Sequence, residues 1–183
     1  MTEIDSLEAL CRSVQAGARP KYVFFWRHTS EDATLGKECL SQWYPSPFEA
    51  YGHQFLTAEH FMMYRKAVLF EDDVTARRIL QAETPNAVKA LGRTVRGFDE
   101  TVWQSHRFDV VAEGSLRKFT ANPELRQYLL GTKDHVLAEA SPTDCVWGIG
   151  LTAEDKHAKS PRHWRGLNLL GFALMLVRSR LRS

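Results

Sequence analysis

At 183 residues, with 44% apolar and 25% charged side chains, the chain has ordinary globular composition and length enough for one compact domain with its own core. A formal net charge of +2 is too small by itself to imply a nucleic-acid partner, and it is uninformative here, because such footprints depend on basic residues clustered on one face. Cys11, Cys39 and Cys145 are odd in number and lack a CxxC spacing, which argues against a disulfide framework or a structural zinc site and fits a reducing cytoplasm. The first residues lack the basic region and apolar run of a secretory signal, and no apolar run approaches the ~20 residues of a membrane span.

Ser6 to Gln15 places apolar residues at Leu7, Leu10, Cys11 and Val14, the one-sided spacing of a helix, which Gly17 ends. With its flanks this segment, residues 1–20, reads as a lid or an N-terminal helical extension. Tyr22 to Trp26 predicts a strand and Arg27 to Glu38 a loop. Phe48 to Tyr51 and Gln54 to Leu56 flank Gly52-His53 and predict a hairpin, after which Thr57 stands as the N-cap of a helix from Ala58 to about Phe70. Asp73 to Gln81 predicts a second helix, and Thr84-Pro85 opens a third that ends near Gly92. Asp99 caps a longer helix to about Thr120. Asn122-Pro123 starts another, with Gly131 expected in the left-handed position past its end. Val136 to Ala140 predicts a strand, Ser141 to Trp164 a loop of functional length, and Leu167 to Leu181 the terminal helix.

On the helix from Ala58, a step of roughly 100° per residue puts Glu59, Met63, Lys66 and Phe70 on one stripe, while Phe61, Tyr64 and Val68 take the other side. A helix apolar nearly all round is buried, so Glu59 and Lys66 both leave water. Either the two charges address one ligand in a cleft, or both snorkel to the surface along apolar neighbours. Their Cα atoms are roughly 10 Å apart, beyond the usual ion-pair spacing on a helix. His60 faces about 100° away from Glu59 and lacks a second histidine one turn on, so a metal site fails the spacing test.

Other candidates are weaker one by one. Trp147 precedes Gly148 and Gly150, where bare backbone can approach a ligand. Asn168 is the polar residue at the start of an apolar helix; it either meets ribose or phosphate beside free N–H groups or bonds its own backbone. Arg27, Arg93, Arg107 and Arg165 are candidate phosphate contacts, guanidinium being suited to oxyanions. Trp103 offers a face for stacking or packs into the core.

In order along the chain stand Phe24-Phe25-Trp26, Leu40-Ser41-Gln42-Trp43, Thr57-Ala58-Glu59-His60-Phe61 with Lys66, Leu91-Gly92-Arg93, Trp103, Lys118-Phe119, Leu137 to Ser141, Asp144 to Gly150, and Gly166 to Gly171. This ordered set resembles the NADAR, or YbiA-like, N-glycosidase family over roughly Tyr22 to Leu181. Gln42 departs from the resemblance, the family commonly having Asn there, as do Met62-Met63-Tyr64 and Ile149.

The resemblance implies a predominantly α-helical α+β single domain with a small β-sheet, residues 21–183. It implies hydrolysis of the N-glycosidic bond of a phosphorylated riboside. The substrate is either ADP-ribose attached to guanine, in a nucleoside or DNA, or an early riboflavin-pathway ribosylaminopyrimidine phosphate. No metal or other cofactor is expected. Glu59 would stabilise the oxocarbenium-like state or activate water. Asp144 would act on water or the ribose hydroxyls, or else caps a turn. Lys66 would hold phosphate or form an imine with C1′. Trp103, Trp147, Gly148, Asn168, Arg27, Arg93 and Arg107 would bind substrate. A rival expectation is a silent module that binds ADP-ribose or NAD.

Overall fold

The computed structural model describes residues 4–29 and 34–182; four residues of the predicted Arg27–Glu38 loop, 30–33, lie outside the described residues. In chain order the elements are α1 (Leu7–Gln15), β1 (Tyr22–Phe25), a 3-10 turn (Lys37–Leu40), β2 (Phe48–Ala50), β3 (His53–Phe55), α2 (Ala58–Leu69), α3 (Asp73–Gln81), α4 (Pro85–Gly92), α5 (Glu100–Ala121), α6 (Pro123–Gly131), β4 (Val136–Glu139), a second 3-10 turn (Pro161–His163) and α7 (Leu169–Arg182). The architecture is α+β, helices dominating over two small sheets. Contacts group the chain into two compact units, residues 1–41 with 127–183, and residues 42–126.

In the first unit β1 and β4 pair in parallel, Tyr22 opposite Val136 and Phe25 opposite Glu139. Helix α7 packs on β4. A Cβ on Gly171 would overlap the Leu137 carbonyl oxygen, so glycine permits this close approach. The seam is fixed by Asn168, whose Oδ1 accepts from Glu139 N (3.0 Å) and whose Nδ2 donates to Leu137 O (2.9 Å). Further along α7, buried Arg178 donates to Thr132 Oγ1 and to the His135 carbonyl, at 2.7 and 2.9 Å. Helix α1 packs against the second 3-10 turn and buries Leu10 completely, so it contributes to this unit's core.

In the second unit, α2 lies against α3, α4 and α5. Phe48, Phe55 and Phe61 gather in one aromatic core with ring centroids 5.3 to 5.8 Å apart. The predicted hairpin is present with a shifted turn: Ala50 pairs with His53, so Tyr51 and Gly52 form the loop, both with positive φ (52° and 74°). Tyr51 tolerates that backbone because its hydroxyl donates to Glu113 (2.6 Å) while its ring stacks on Phe61 and lies under Arg65.

The terminal boundaries of several helices agree with their caps. Thr57, Thr84 and Asp99 each accept from the N–H three residues on, as their sequence positions predict. Gly131 differs from expectation: it is the last residue of α6 without a positive φ, and Lys133 takes the left-handed conformation instead (φ 50°). Helix α7 begins two residues later than predicted, because Asn168 itself is left-handed (φ 55°) in order to reach β4.

Candidate active site

Helix α2 presents the expected charges. Thr57 Oγ1 accepts from His60 N, and Glu59 occupies the first turn, where the helix dipole favours a carboxylate. Glu59 is 3% exposed, and its main-chain N–H donates to Gln42 O at 3.0 Å. His60 is a satisfied core residue. Its Nε2 lies 3.1 Å from the Ala82 carbonyl, which can only accept, so that nitrogen carries the proton and Nδ1 accepts from the Thr57 hydroxyl at 2.8 Å. Burial pushes its pKa down, and the Ala82 bond only partly offsets this.

Two turns along, half-buried Lys66 donates to Gly92 O at 2.9 Å. Its Nζ stands 4.0 Å from the centroid of the Phe98 ring and 5.7 Å from that of Trp103. Burial lowers the ammonium pKa, and the Glu100 carboxylate pulls the other way. A Cβ on Gly92 would overlap Met63 Sδ, so glycine lets the end of α4 come near enough to α2 to offer that carbonyl. Glu100, Trp103 and Arg107 follow one face of α5, and the Arg107 guanidinium, nearly buried, is 3.9 Å from Glu100. The second unit therefore brings Lys66, Trp103 and, through Glu100, Arg107 together. Arg93 is exposed at the C-cap of α4.

Sequence reasoning assigned no role to two buried polar residues here, Lys118 and Ser115. Lys118 is 0% exposed on α5, its Nζ 5.7 Å from the Tyr44 ring and 5.2 Å from Phe119. Ser115, one turn before it, is also fully buried and accepts from Gln42 Nε2 at 3.2 Å. A lysine is almost never wholly buried without a partner or purpose. The available signal was its place seven and eight residues after the apolar pair Val110 and Val111, on the inward face of α5.

In the first unit, Asp144 Oδ1 accepts from Val146 N (2.9 Å) and Trp147 N (2.7 Å), so Asp144 holds the turn that carries Trp147. Gly148 is buried. A Cβ there would lie 2.8 Å from Glu139 O, so its bareness serves backbone packing. The segment from Cys145 to Ile149 is laced to the start of α7: Asn168 N, Leu169 N and Leu170 N donate to the carbonyls of Gly148, Val146 and Trp147. The N–H groups that sequence alone leaves free at this helix start are thus engaged, and both polar ends of Asn168 are held by β4. Arg27 lines a recess of about 250 Å³ with Phe24, Phe25, Trp26, Lys37 and Glu38. Trp26 is 46% exposed.

Among the described residues, no three His, Cys, Asp or Glu side chains are grouped to hold a metal ion, and no helix is long and apolar enough to cross a membrane.

The chain is similar to known proteins over most of its length. An N-glycosidase of Acanthamoeba polyphaga mimivirus is 42% identical over 163 residues, covering 86% of this chain and 95% of that protein. A chloroplastic riboflavin biosynthesis protein of Zea mays is 38% identical over 133 residues, which span 68% of this chain and 19% of its own. The NMR structure of Escherichia coli YbiA superposes with a TM-score of 0.72 at 23% identity, covering 94% of this chain and 91% of the other. The model of the NADAR domain matches residues 24–182, and the chain belongs to that family.

Proposed function

We propose that this chain is an N-glycosidase that hydrolyses the bond between C1′ of a phosphorylated riboside and a heterocycle nitrogen, with residues 21–183 as its catalytic domain and residues 1–20 as an extension. The reading rests on one observation above all: α2 carries a buried carboxylate, Glu59, two turns from a half-buried amine, Lys66, whose pKa burial lowers. A carboxylate held in low dielectric is suited to the developing charge of an oxocarbenium-like state. A lysine made less basic is suited to nucleophilic attack.

In the covalent route, the neutral Lys66 nitrogen adds to C1′ as the C1′–N bond breaks, and the departing nitrogen takes a proton. Ring opening then gives an imine, which water hydrolyses to free sugar and amine. In the direct route Glu59 activates the water, and Lys66 holds the phosphate. Arg93 and Arg107 are the candidate substrate contacts on the unit that carries Glu59 and Lys66, and Arg27, Asp144 and Trp147 are those of the first unit. The name of the maize relative, a riboflavin biosynthesis protein, supports the ribosylaminopyrimidine phosphate, and the name N-glycosidase of the mimivirus relative supports the bond type; ADP-ribose on guanine is the second candidate, carried by the family resemblance. The three free cysteines fit a reducing, cytoplasmic setting.

Chromatography of reactions with an ADP-ribosylated guanine oligonucleotide and with the ribosylaminopyrimidine phosphate tests this. The wild type releases free base or pyrimidine from at least one, and Glu59→Gln remains folded yet releases neither. Retained ADP-ribose binding without release by the wild type would make the chain a binding module. Borohydride added during turnover leaves a sugar adduct on Lys66 if the covalent route operates.

A further inference from the structure

We infer that the side-chain oxygen of Gln42 is a substrate acceptor, taking a hydrogen bond from an N–H or O–H donor next to Glu59; the inference rests on the N-glycosidase reading. Gln42 is 7% exposed and held at two points. Its main-chain oxygen accepts from Glu59 N at 3.0 Å, and its Nε2 donates to the fully buried Ser115 Oγ at 3.2 Å. One anchor lies on α2 and the other on α5, so the carboxamide has no freedom to swing into water.

Its Oε1 is buried and has no hydrogen-bond partner among the described residues. Natural proteins rarely leave a buried acceptor unpaired, since an apolar side chain of similar shape would avoid the cost. An acceptor fixed by its own amide and by the peptide that positions Glu59 is preorganised for a donor arriving there. The carboxamide is neutral, so it reads a donor without competing with Glu59 for positive charge. N-ribosides carry two kinds of donor: N–H groups of the heterocycle and hydroxyls of the sugar. Gln42 is thus a specificity-determining residue.

The test compares wild type, Gln42→Leu and Gln42→Asn on the better of the two substrates and on its 2′-deoxyribosyl counterpart. Gln42→Leu lowers kcat/KM by roughly 10- to 100-fold, because the donor is then buried unpaired; it also takes the Nε2 donor from buried Ser115 Oγ, so its melting temperature falls modestly while the fold is kept. Gln42→Asn withdraws the oxygen by one methylene and shows a partial loss with the fold intact, which keeps the comparison decisive if the leucine variant fails to fold. If the leucine variant no longer distinguishes ribosyl from deoxyribosyl substrate, the donor is the 2′-hydroxyl. If the two losses multiply, it is the heterocycle N–H. Unchanged kcat/KM in both variants overturns the inference and leaves Oε1 bound to a buried water only. If the wild type turns over neither substrate, the N-glycosidase reading fails by itself, and calorimetry with ADP-ribose decides: Gln42→Leu weakens binding about 10-fold, or the inference falls with affinity unchanged.

Discussion

Lys66 sits in two opposing fields. Burial against Phe98 and Trp103 favours the neutral amine, and Glu100 favours the ammonium; burial is the larger effect. If the neutral amine is the nucleophile, kcat/KM rises with pH through the folded-state pKa, and that limb lies below the value of about 10.4 usual for lysine. Glu100→Gln removes the field that raises the pKa, so the limb moves to lower pH. The Glu100 side chain is 59% exposed, so the displacement shrinks as salt is added. Profiles of kcat/KM against pH at low and high salt would show this, and a limb moving upward would remove the neutral amine from the mechanism.

Asn168 makes a contrasting case at the same scale. Asn168→Ala would strand Glu139 N and Leu137 O in the interior and place alanine at φ 55°. A loss of about 2–4 kcal/mol in urea unfolding is expected. A stability change under about 0.5 kcal/mol, the ordinary range for surface substitutions, would mean that the clamp is not what holds the residue there.

Among the elements, Gly171 and Gly131 predict opposite signs for the same substitution. Gly171→Ala drives a methyl into the Leu137 carbonyl and must push α7 off β4, costing roughly 1–3 kcal/mol. Gly131→Ala meets nothing within 4 Å at an ordinary helical φ and gains about 0.5 kcal/mol from helix propensity. Thermal melts of the two variants distinguish them. The same pair shows what local sequence can and cannot carry. Caps such as Thr57, Thr84 and Asp99 are legible because donor and acceptor lie three residues apart. So is the stripe of Glu59 and Lys66, since the period of the helix suffices. The left-handed residues are not legible. Tyr51, Lys133 and Asn168 adopt that backbone where the motif residues alone suggest glycine or a helical turn, and for Tyr51 and Asn168 the stabilising partners are Glu113 and β4, far along the chain. The parallel pairing of β1 with β4 is equally non-local. For the site, Lys118 is legible only from its register with Val110 and Val111 on α5, and the burial of Ser115 and Gln42 against each other is set by contacts 73 residues apart, which no local pattern carries.

At the scale of the whole molecule, stability against acid depends on carboxylates whose folded-state pKa lies below the unfolded value. Asp72 is the strongest case. Its carboxylate accepts from Arg96 N and from the Arg96 guanidinium, and it caps α3 through Thr75 N, all of which hold its pKa well below the ordinary range. Asp134 is lowered by Arg182. Burial alone would raise Glu113, but Tyr51, Arg117 and Arg65 bring it down. Such groups stabilise the fold fully above the unfolded carboxylate pKa of about 4 and lose that contribution as pH falls through their folded values. The melting temperature should accordingly be flat near neutrality and drop steeply below about pH 4. Asp72→Asn keeps the shape and one acceptor but removes the titration. Its melting temperature starts lower at pH 7 and converges on the wild type as the medium is acidified. Parallel curves for the two proteins from pH 7 to pH 2 would mean that the Asp72 carboxylate contributes nothing ionic, and that acid sensitivity resides in Glu113 and Asp134.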